Sequence, residues 1–480
     1  MVDGSPRAPL HRPLLWQDAI LDLQEIWLEV MPDLPLYMIG GAVRDAYWHR
    51  PCKDLDFATP YDSIKFARKL ADKFKGDIFI MDEARGVARV WLSFKGQDWR
   101  MDVAQFRGED LQADLLGRDF TLNALAVDAR GDLSLLIDPF GWEADAHKRV
   151  LRQCSPQSIS DDPIRGLRAV RQSVEFGLRL EPSTAKAIQA HAQQLMNTSA
   201  ERVRDELFAL LGGTKPASAL RLAQSLGLMD ALFPAWKQVH QQASAAEWGA
   251  SQWELSLAGV ERAHQVLTAI SPRRTDHTAA VFDLAMLVIQ LDRYRRTLNE
   301  YLEQIYVNER SHHALLLFAC LYATLPLDAL EQICEQFRLS NQEKKIVLRA
   351  VEFAPQVLSI IPSTPVAVHR FWYPLEKHGI DAIVLAVAQH LALMGNYLNQ
   401  QAWLVAVERI HGLCQAYFEQ YEQLVAPPPW LDGNDLLALG LQGRAVGEAL
   451  TFLRESQVEG KVNNREQALS LIQAWWAERR

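Results

Sequence analysis

The spacing of apolar residues changes once along this chain, and that change sets the fold class. Up to about residue 140, short runs rich in β-branched and aromatic residues read as strands: LYMIG at 36–40, DLDFAT at 54–59, DIFIMD at 77–82, RVWLSF at 89–94 and WRMDVAQF at 99–106. Between them, AVRDAYWH at 42–49 and YDSIKFARKLADKFK at 61–75 carry helical spacing. From about residue 160 apolar residues recur three and four apart behind Ser, Asp or Pro, the pattern of helices with defined starts. SDDPIRGLRAVRQSVEFG, PSTAKAIQAHAQQLM, SAERVRDELFALL and ASALRLAQSLGLMDALF follow one another over 160–233, and helical spacing continues to the end. The expected fold is α+β: an N-terminal head with a small mixed sheet, followed only by helices.

At 480 residues the chain exceeds one ordinary domain, so three or four packed units are expected. The division predicted is a head over 1–145, a helical neck over 146–215, a helical body over 216–425 and a helical tail over 426–480. Turns are expected at Gly212-Gly213, Ser271-Pro272, Pro362-Ser363 and Pro427-Pro428-Pro429. The triple proline is the best linker, because prolines favour an extended, semi-rigid connection.

Two adjacent features in the head carry chemistry. Asp54 and Asp56 are two apart in a strand and so share a face. Alone, such a pair is usually two surface acids. Here it follows Gly40-Gly41-Ala42-Val43-Arg44-Asp45, a glycine pair between a strand and a helix, where bare backbone lets a triphosphate approach N–H groups. Arg44 is placed to reach the phosphates. Two carboxylates aimed together call for a cation, and hard oxygen ligands suit Mg2+, which uses one or two carboxylates plus substrate phosphates. Asp102, in the 99–106 strand, is the natural third acid, against the alternative of a solvated strand-face residue. Arg107, which closes that strand, is either structural or phosphate-directed.

Composition excludes several classes. Apolar residues make up 49% and charged residues 23%, a globular balance. The net charge of −9 removes any argument from global basicity for nucleic acid, but a local basic surface would suffice. Apolar runs such as 279–291 and 382–394 are interrupted by Asp283, or by Gln389 and His390, and are too short to cross a bilayer. The opening MVDGSPRAPLHRPLLW lacks a signal-peptide pattern, so a cytoplasmic location without membrane attachment is expected. The five cysteines show no C-x-x-C spacing and read as reduced thiols.

With IGGAVRD and KDLDFAT in view, further segments fall into line: GRDFTLNALAVD at 117–128, DPFGW at 138–142, DDPIRGLRAVRQSVEFG at 161–177, ERVRDELFALL at 201–211 and WLDGNDLLALGLQGRAVGEAL at 430–450. In order and spacing the chain resembles the class II tRNA nucleotidyltransferase and bacterial poly(A) polymerase family. The match runs to about residue 235 and is sparse over 236–425.

The resemblance implies a polymerase-beta-like nucleotidyltransferase head. Its expected substrates are the tRNA 3′ end, CTP and ATP, with Mg2+ held by Asp54 and Asp56 and Asp102 as a further catalytic acid. It implies nucleotide contacts from Gly40, Gly41, Arg44, Arg118, Asp162, Arg165, Arg168 and Arg171, and an RNA-binding tail over 426–480. Asn123 would order the local structure. Asp162 and Arg165, three apart on a helix opened by Pro163, would form a protein template. A carboxylate that accepts and a guanidinium that donates match the amine and ring nitrogen of cytosine and adenine, whereas uracil and guanine present the reverse. Without the resemblance, Arg168 and Arg171 would read as a solvated row.

The chain departs from the family in three places. Gly117-Arg118 stands where two arginines are usual. Asp161 replaces a Glu, a change expected to leave its capping role intact. Only GEDLQADLL separates Phe106-Arg107 from Gly117, where many members carry a longer polar loop. The short connection resembles variants that add two cytidines and stop. The alternatives are an A-adding enzyme or poly(A) polymerase, or a catalytically inactive RNA-binding relative. A His-Asp phosphohydrolase motif is not found; Asp276-His277 is the nearest sequence.

Overall fold

In the computed structural model, residues 12–30, 32–232, 250–271, 282–306 and 310–479 are described. Most of the opening segment, Pro272 and the Asp276-His277 pair lie outside them. The chain divides into two units, Met1–Thr198 with Ala223–Leu232, and Ser199–Leu222 with Phe233–Arg480.

The first unit is built on a six-stranded sheet in the order β3-β4-β5-β2-β1-β6. The strands are β1 (Tyr37–Ile39), β2 (Asp54–Thr59), β3 (Asp77–Asp82), β4 (Val87–Phe94), β5 (Gln97–Gln105) and β6 (Ala126–Asp128). All neighbours pair antiparallel except β2 and β5, which run parallel. Alternation decides the faces: Leu55, Phe57, Met101 and Val103 are buried, so Asp54, Asp56, Arg100 and Asp102 emerge on the other side. Helices α1 (Asp18–Val30) and α3 (Ser63–Phe74) cover the apolar face, with Trp27 edge-on to Phe57 at 5.2 Å. β4 and β5 are joined through Lys95 and Gly96, both at positive φ (52° and 74°), the geometry of a tight hairpin turn.

The five predicted strands are present. Three were not anticipated: β6, and the two-residue parallel pair β7 (Val150–Leu151) and β8 (Arg179–Leu180). Runs of two or three residues are too short to show alternation, and the last pair lies where only helices were expected.

The expected helix over 160–177 is two helices, α6 (Ser158–Asp161) and α7 (Arg165–Phe176). Pro163 forces the break, since the residue before a proline is driven from helical geometry and Asp162 is extended at φ −147°, ψ 92°. Asp161 ends α6 and α7 starts without a side-chain cap, so the capping role expected of Asp161 is not observed. Gly177, at φ +64°, closes α7. The run at 217–233 likewise divides into Pro216–Ser225 and Leu228–Leu232 around Gly227 at φ +76°.

The described part of the second unit is helical. Its core packs Gln252–Ile270, His312–Tyr322, Asn341–Val357 and Gly379–Met394 together. Helices Gly433–Ala438, Arg444–Val458 and Arg465–Ala477 form a separate apolar cluster that includes Leu436, Leu453 and Ile472, beyond the prolines at 427–429. No helix among the described residues is long and apolar enough to cross a membrane.

One polar network sits inside this core. Asp381 is fully buried and accepts from Tyr301 Oη at 2.7 Å, with His312 Nε2 at 2.8 Å and His378 Nδ1 at 3.3 Å. Burial alone would neutralise the acid, but His312, His378 and Tyr301 hold its pKa below the usual carboxylate range. Asp381→Asn removes the charge these donors converge on and should cost about 3 kcal/mol at neutral pH. Tyr301→Phe, which deletes one donor, should cost about 1 kcal/mol. Urea melts of the two variants test this ranking.

Candidate active site

β1 passes directly into Gly40-Gly41 and helix α2 (Gly41–Tyr47), next to Asp56, which pairs with Ile39. Gly40 has φ +69°, and its N–H donates to Leu125 O at 2.9 Å. A Cβ at this position would lie 3.3 Å from Arg118 Nη1 and 3.5 Å from Asp56 Oδ2. Glycine is therefore required here for conformation and for space. The same geometry puts the Arg118 guanidinium beside the Asp56 carboxylate at the mouth of the glycine turn.

The parallel register sets Asp54 opposite Arg100 and Asp56 opposite Asp102. Asp54, more than half exposed, accepts from Arg100 Nη2 at 2.6 Å. Burial, together with neighbouring Asp102 and Asp54, raises the pKa of Asp56 against the opposing pull of Arg118 and Arg100. Asp102 is gripped by Arg89 through two bonds, Nε to Oδ1 at 2.7 Å and Nη2 to Oδ2 at 2.8 Å.

Among the described residues there is no cluster of three or more His, Cys, Asp or Glu side chains arranged to hold a metal. The donor set that does fit a cation is the Asp54/Asp56 pair. It offers hard oxygens on one strand face, and repulsion between them raises the proton affinity of the buried member. Such a two-carboxylate set suits magnesium, which takes its remaining ligands from water and substrate phosphates.

A basic rim faces these acids. Helix α4 (Leu111–Leu116) occupies most of the connection expected as a short loop; Asp110 caps it by accepting from Ala113 N at 2.8 Å. Its buried Asp114 accepts from Arg118 Nη2 at 3.2 Å and from the backbone N–H of Arg107 at 3.1 Å. The Arg107 pKa is lowered by burial first and then by the charges of Arg118 and Arg165, so three guanidiniums share one locality. Arg165 donates through Nη2 to Gly117 O at 2.8 Å and through Nη1 to Arg118 O at 3.2 Å and Ser158 Oγ at 2.8 Å. Its Nε lies 4.0 Å from Asp162 Oδ2.

Behind the rim lies a buried polar chain. Arg44 forks onto Asp45 at 2.9 and 3.0 Å, donates to Asn123 Oδ1 at 2.9 Å and stacks over Phe176 at 4.5 Å. Asn123 in turn donates to Asp119 Oδ1 at 3.0 Å and Gln172 Oε1 at 3.1 Å. Arg168 grips Asp119 Oδ2 at 2.9 and 2.8 Å. Burial would raise the Asp119 pKa, but Arg168, Asn123 and the Phe120 N–H outweigh it and hold the acid at about 2.

The structure therefore groups Gly40, Asp54, Asp56, Asp102 and Arg118 on one side, with Arg118, Asp162 and Arg165 joined on the other. Gly41 lies against the Arg44 guanidinium, and the described bonds of Arg44 and Arg168 are to protein carboxylates and amides. Arg171 reaches Glu175 at 3.4 Å, farther along α7. Sequence reasoning missed Arg89, Arg100, Asp114 and Ser158. Arg89 was recoverable, because Arg89 and Asp102 are equidistant from the Lys95-Gly96 turn and so face each other in a hairpin.

Two families of known proteins match the chain: the Poly A polymerase head domain over residues 36–152, and the "Probable RNA and SrmB- binding site of polymerase A" over 177–239. An A-adding tRNA nucleotidyltransferase of Deinococcus radiodurans is 29% identical over 470 residues, covering 93% of this chain and 98% of the relative. A CC-adding tRNA nucleotidyltransferase of Geobacter sulfurreducens is 37% identical over 199 residues, covering 42% of this chain and 45% of the relative. The fold matches that of a CCA-adding enzyme solved with ATP, at a TM-score of 0.63 and 21% identity over 96% of both chains.

Arg168→Gln leaves Asp119 buried without its countercharge. The native pKa of about 2 lies below the unfolded value of about 3.9, so the pairing stabilises above that unfolded value and is lost as pH falls toward 2. The variant should lose about 2–3 kcal/mol at pH 7. Thermal melts between pH 2 and 7 should show the deficit shrinking toward the acid end.

Proposed function

The chain belongs to the tRNA nucleotidyltransferase and poly(A) polymerase family, a family of enzymes, and from that premise we propose that it adds CMP from CTP to the tRNA 3′ end without a nucleic-acid template and stops after two additions. The observation that carries this reading is the Asp162/Arg165 pair, 4.0 Å apart and bonded to the backbone of Gly117 and Arg118, with the Arg118 guanidinium beside Asp56. One end of this arrangement reads a base edge and the other faces a reacting phosphate.

In this reading the Asp162 carboxylate accepts from the exocyclic amine and Arg165 donates to the neighbouring ring nitrogen. Uracil or guanine would leave both groups confronting like partners, a mismatch that discriminates strongly. Arg118, with Arg107 and Arg165 nearby, draws the triphosphate to the glycine turn, where the missing side chain at Gly40 leaves room. The tRNA 3′ hydroxyl forms the new bond to the α-phosphorus, its proton departs, and the bond to the β-phosphate breaks to release pyrophosphate. Asp54 and Asp56 would hold magnesium, which when bound supplies charge neutralisation for the attacking hydroxyl and the leaving pyrophosphate. Asp102, fixed by Arg89, completes the acidic face beside Asp56. The helices beyond the neck, divided as body 216–425 and tail 426–480, grip the tRNA by shape and phosphate contacts.

Residues 108–116 support a stop after two cytidines. This segment is a capped helix whose Asp114 is tied to Arg107 and Arg118, not a long polar loop able to reshape the base pocket. A second reading is addition of the terminal adenosine, favoured by the name of the D. radiodurans relative, which matches along nearly the whole chain. Adenine presents the same amine-beside-nitrogen edge.

Incubation with tRNAs ending before CCA, after C and after CC, one labelled nucleotide at a time, separates these readings. CTP use with arrest after two additions is expected. A single AMP added to tRNA ending in CC, without CTP use, selects the second reading. Long adenosine tails on arbitrary RNA would identify a poly(A) polymerase. Asp54→Ala and Asp56→Ala should each abolish incorporation while tRNA binding, read by filter retention, stays within about two-fold; retained activity in either sinks the metal assignment.

A further inference from the structure

At the far end of α2 and α7 from the base-reading pair lies an open cleft of about 610 Å³ within the first unit. Arg12, Arg50 and Arg149 line it, with Glu175 the single carboxylate among the lining residues and Trp48 and Phe176 among its aromatic walls. The Arg44 and Arg50 guanidiniums lie over the Phe176 ring at 4.5 and 4.8 Å, and Trp48 packs on it at 4.9 Å. Arg50 reaches Glu175 only at 3.7 Å. The Arg149 guanidinium lies beside Gly177, 3.6 Å from where its Cβ would stand.

This concentration of positive charge is not balanced locally, in a chain whose net charge is −9. Several arginines elsewhere in the unit sit directly on an acid: Arg44 on Asp45, Arg89 on Asp102, Arg118 on Asp114, Arg168 on Asp119. Arg12 donates to the neutral partner His49 at 3.3 Å, and Glu175, the one carboxylate of the lining, is shared with Arg171 at 3.4 Å, so the lining carries a surplus of positive charge that an anion would offset. Guanidinium forks match phosphate, and flat aromatic walls match a base. The volume falls in the range of small-ligand sites.

We propose that this cleft is a second nucleotide-binding site, with phosphates held by Arg12, Arg50 and Arg149 and the base against Trp48. It is separate from the catalytic centre. The eleven residue steps from Arg165 to Phe176 span about 16 Å of helix, which sets the cleft apart from the base-reading pair. The ligand is either a free nucleotide or one nucleotide of a bound RNA chain, since both present the same phosphate and base.

The test uses the full chain and the double variant Arg50→Ala/Arg149→Asn, Asn being chosen because Arg149 has φ +52°, which asparagine tolerates. Equilibrium dialysis with ATP alone counts bound nucleotides per chain, and fluorescence anisotropy with labelled tRNA lacking its CCA end gives affinity. For a free nucleotide the count falls from two to one. For an RNA nucleotide the count stays at one, the tRNA Kd rises at least five-fold, and the salt dependence flattens by about one to two units of slope. A count of one together with an unchanged tRNA Kd overturns the proposal. Arg12→Ala repeats the measurement if the double variant fails to melt cooperatively. Neither readout depends on incorporation, so failure of the cleft and failure of the proposed reaction are told apart.

Discussion

Three carboxylates on one face of two adjacent strands repel one another, and the rest of the head is arranged to contain that repulsion. The parallel pairing of β2 with β5 creates the problem by aligning Asp56 with Asp102 and leaving Asp54 one step away. The same sheet supplies the remedy. β5 presents Arg100 to Asp54, and β4, antiparallel to it, presents Arg89 to Asp102. Asp56 is left as the buried member, with Arg118 approaching across Gly40. The buried acid is thus the one nearest the glycine turn, where a cation and a triphosphate would meet it.

Much of this was legible in the sequence because it depends on local periodicity. Alternation in DLDFAT places its two acids on one face whatever the strand pairs with, and helical spacing over 61–75 needs no tertiary knowledge. What escaped depends on register or on very short elements. Arg100 meets Asp54 only because β2 and β5 run parallel in one particular register, which no local pattern encodes. β6, β7 and β8 offer two or three residues each, too few for a period. The helix over 160–177 was overextended because apolar spacing persists through Pro163, whose effect falls on the residue before it.

In the proposed reading, the break at Pro163 shapes how the base edge is read. Asp162 lies outside α7, in extended backbone, and its relation to Arg165 comes from the turn between them. Arg165 is held by carbonyls from the 117–118 segment, which also carries Arg118. Asn123 fastens the following turn to α2 through Arg44 and to α7 through Asp119 and Gln172. Buried networks of this kind are rigid when every member is satisfied, because loosening one exposes the others to low dielectric without partners. The segments that carry Arg118 and Arg165 are therefore parts of one body.

That rigidity limits what Arg165 can still offer a base. A guanidinium has five N–H donors. The two on Nη1 serve Arg118 O, Ser158 O and Ser158 Oγ, and one on Nη2 serves Gly117 O. What remains is one Nη2 proton and the Nε proton, the latter toward Asp162. In the proposed reading, cytosine or adenine takes one donor from this arginine at a ring nitrogen. A base drawing on a third donor from Arg165 would, in that reading, have to pull it off the backbone carbonyls of Gly117 and Arg118. The position of Arg165 is in this way tied, through the carbonyls of the 117–118 segment, to that of Arg118.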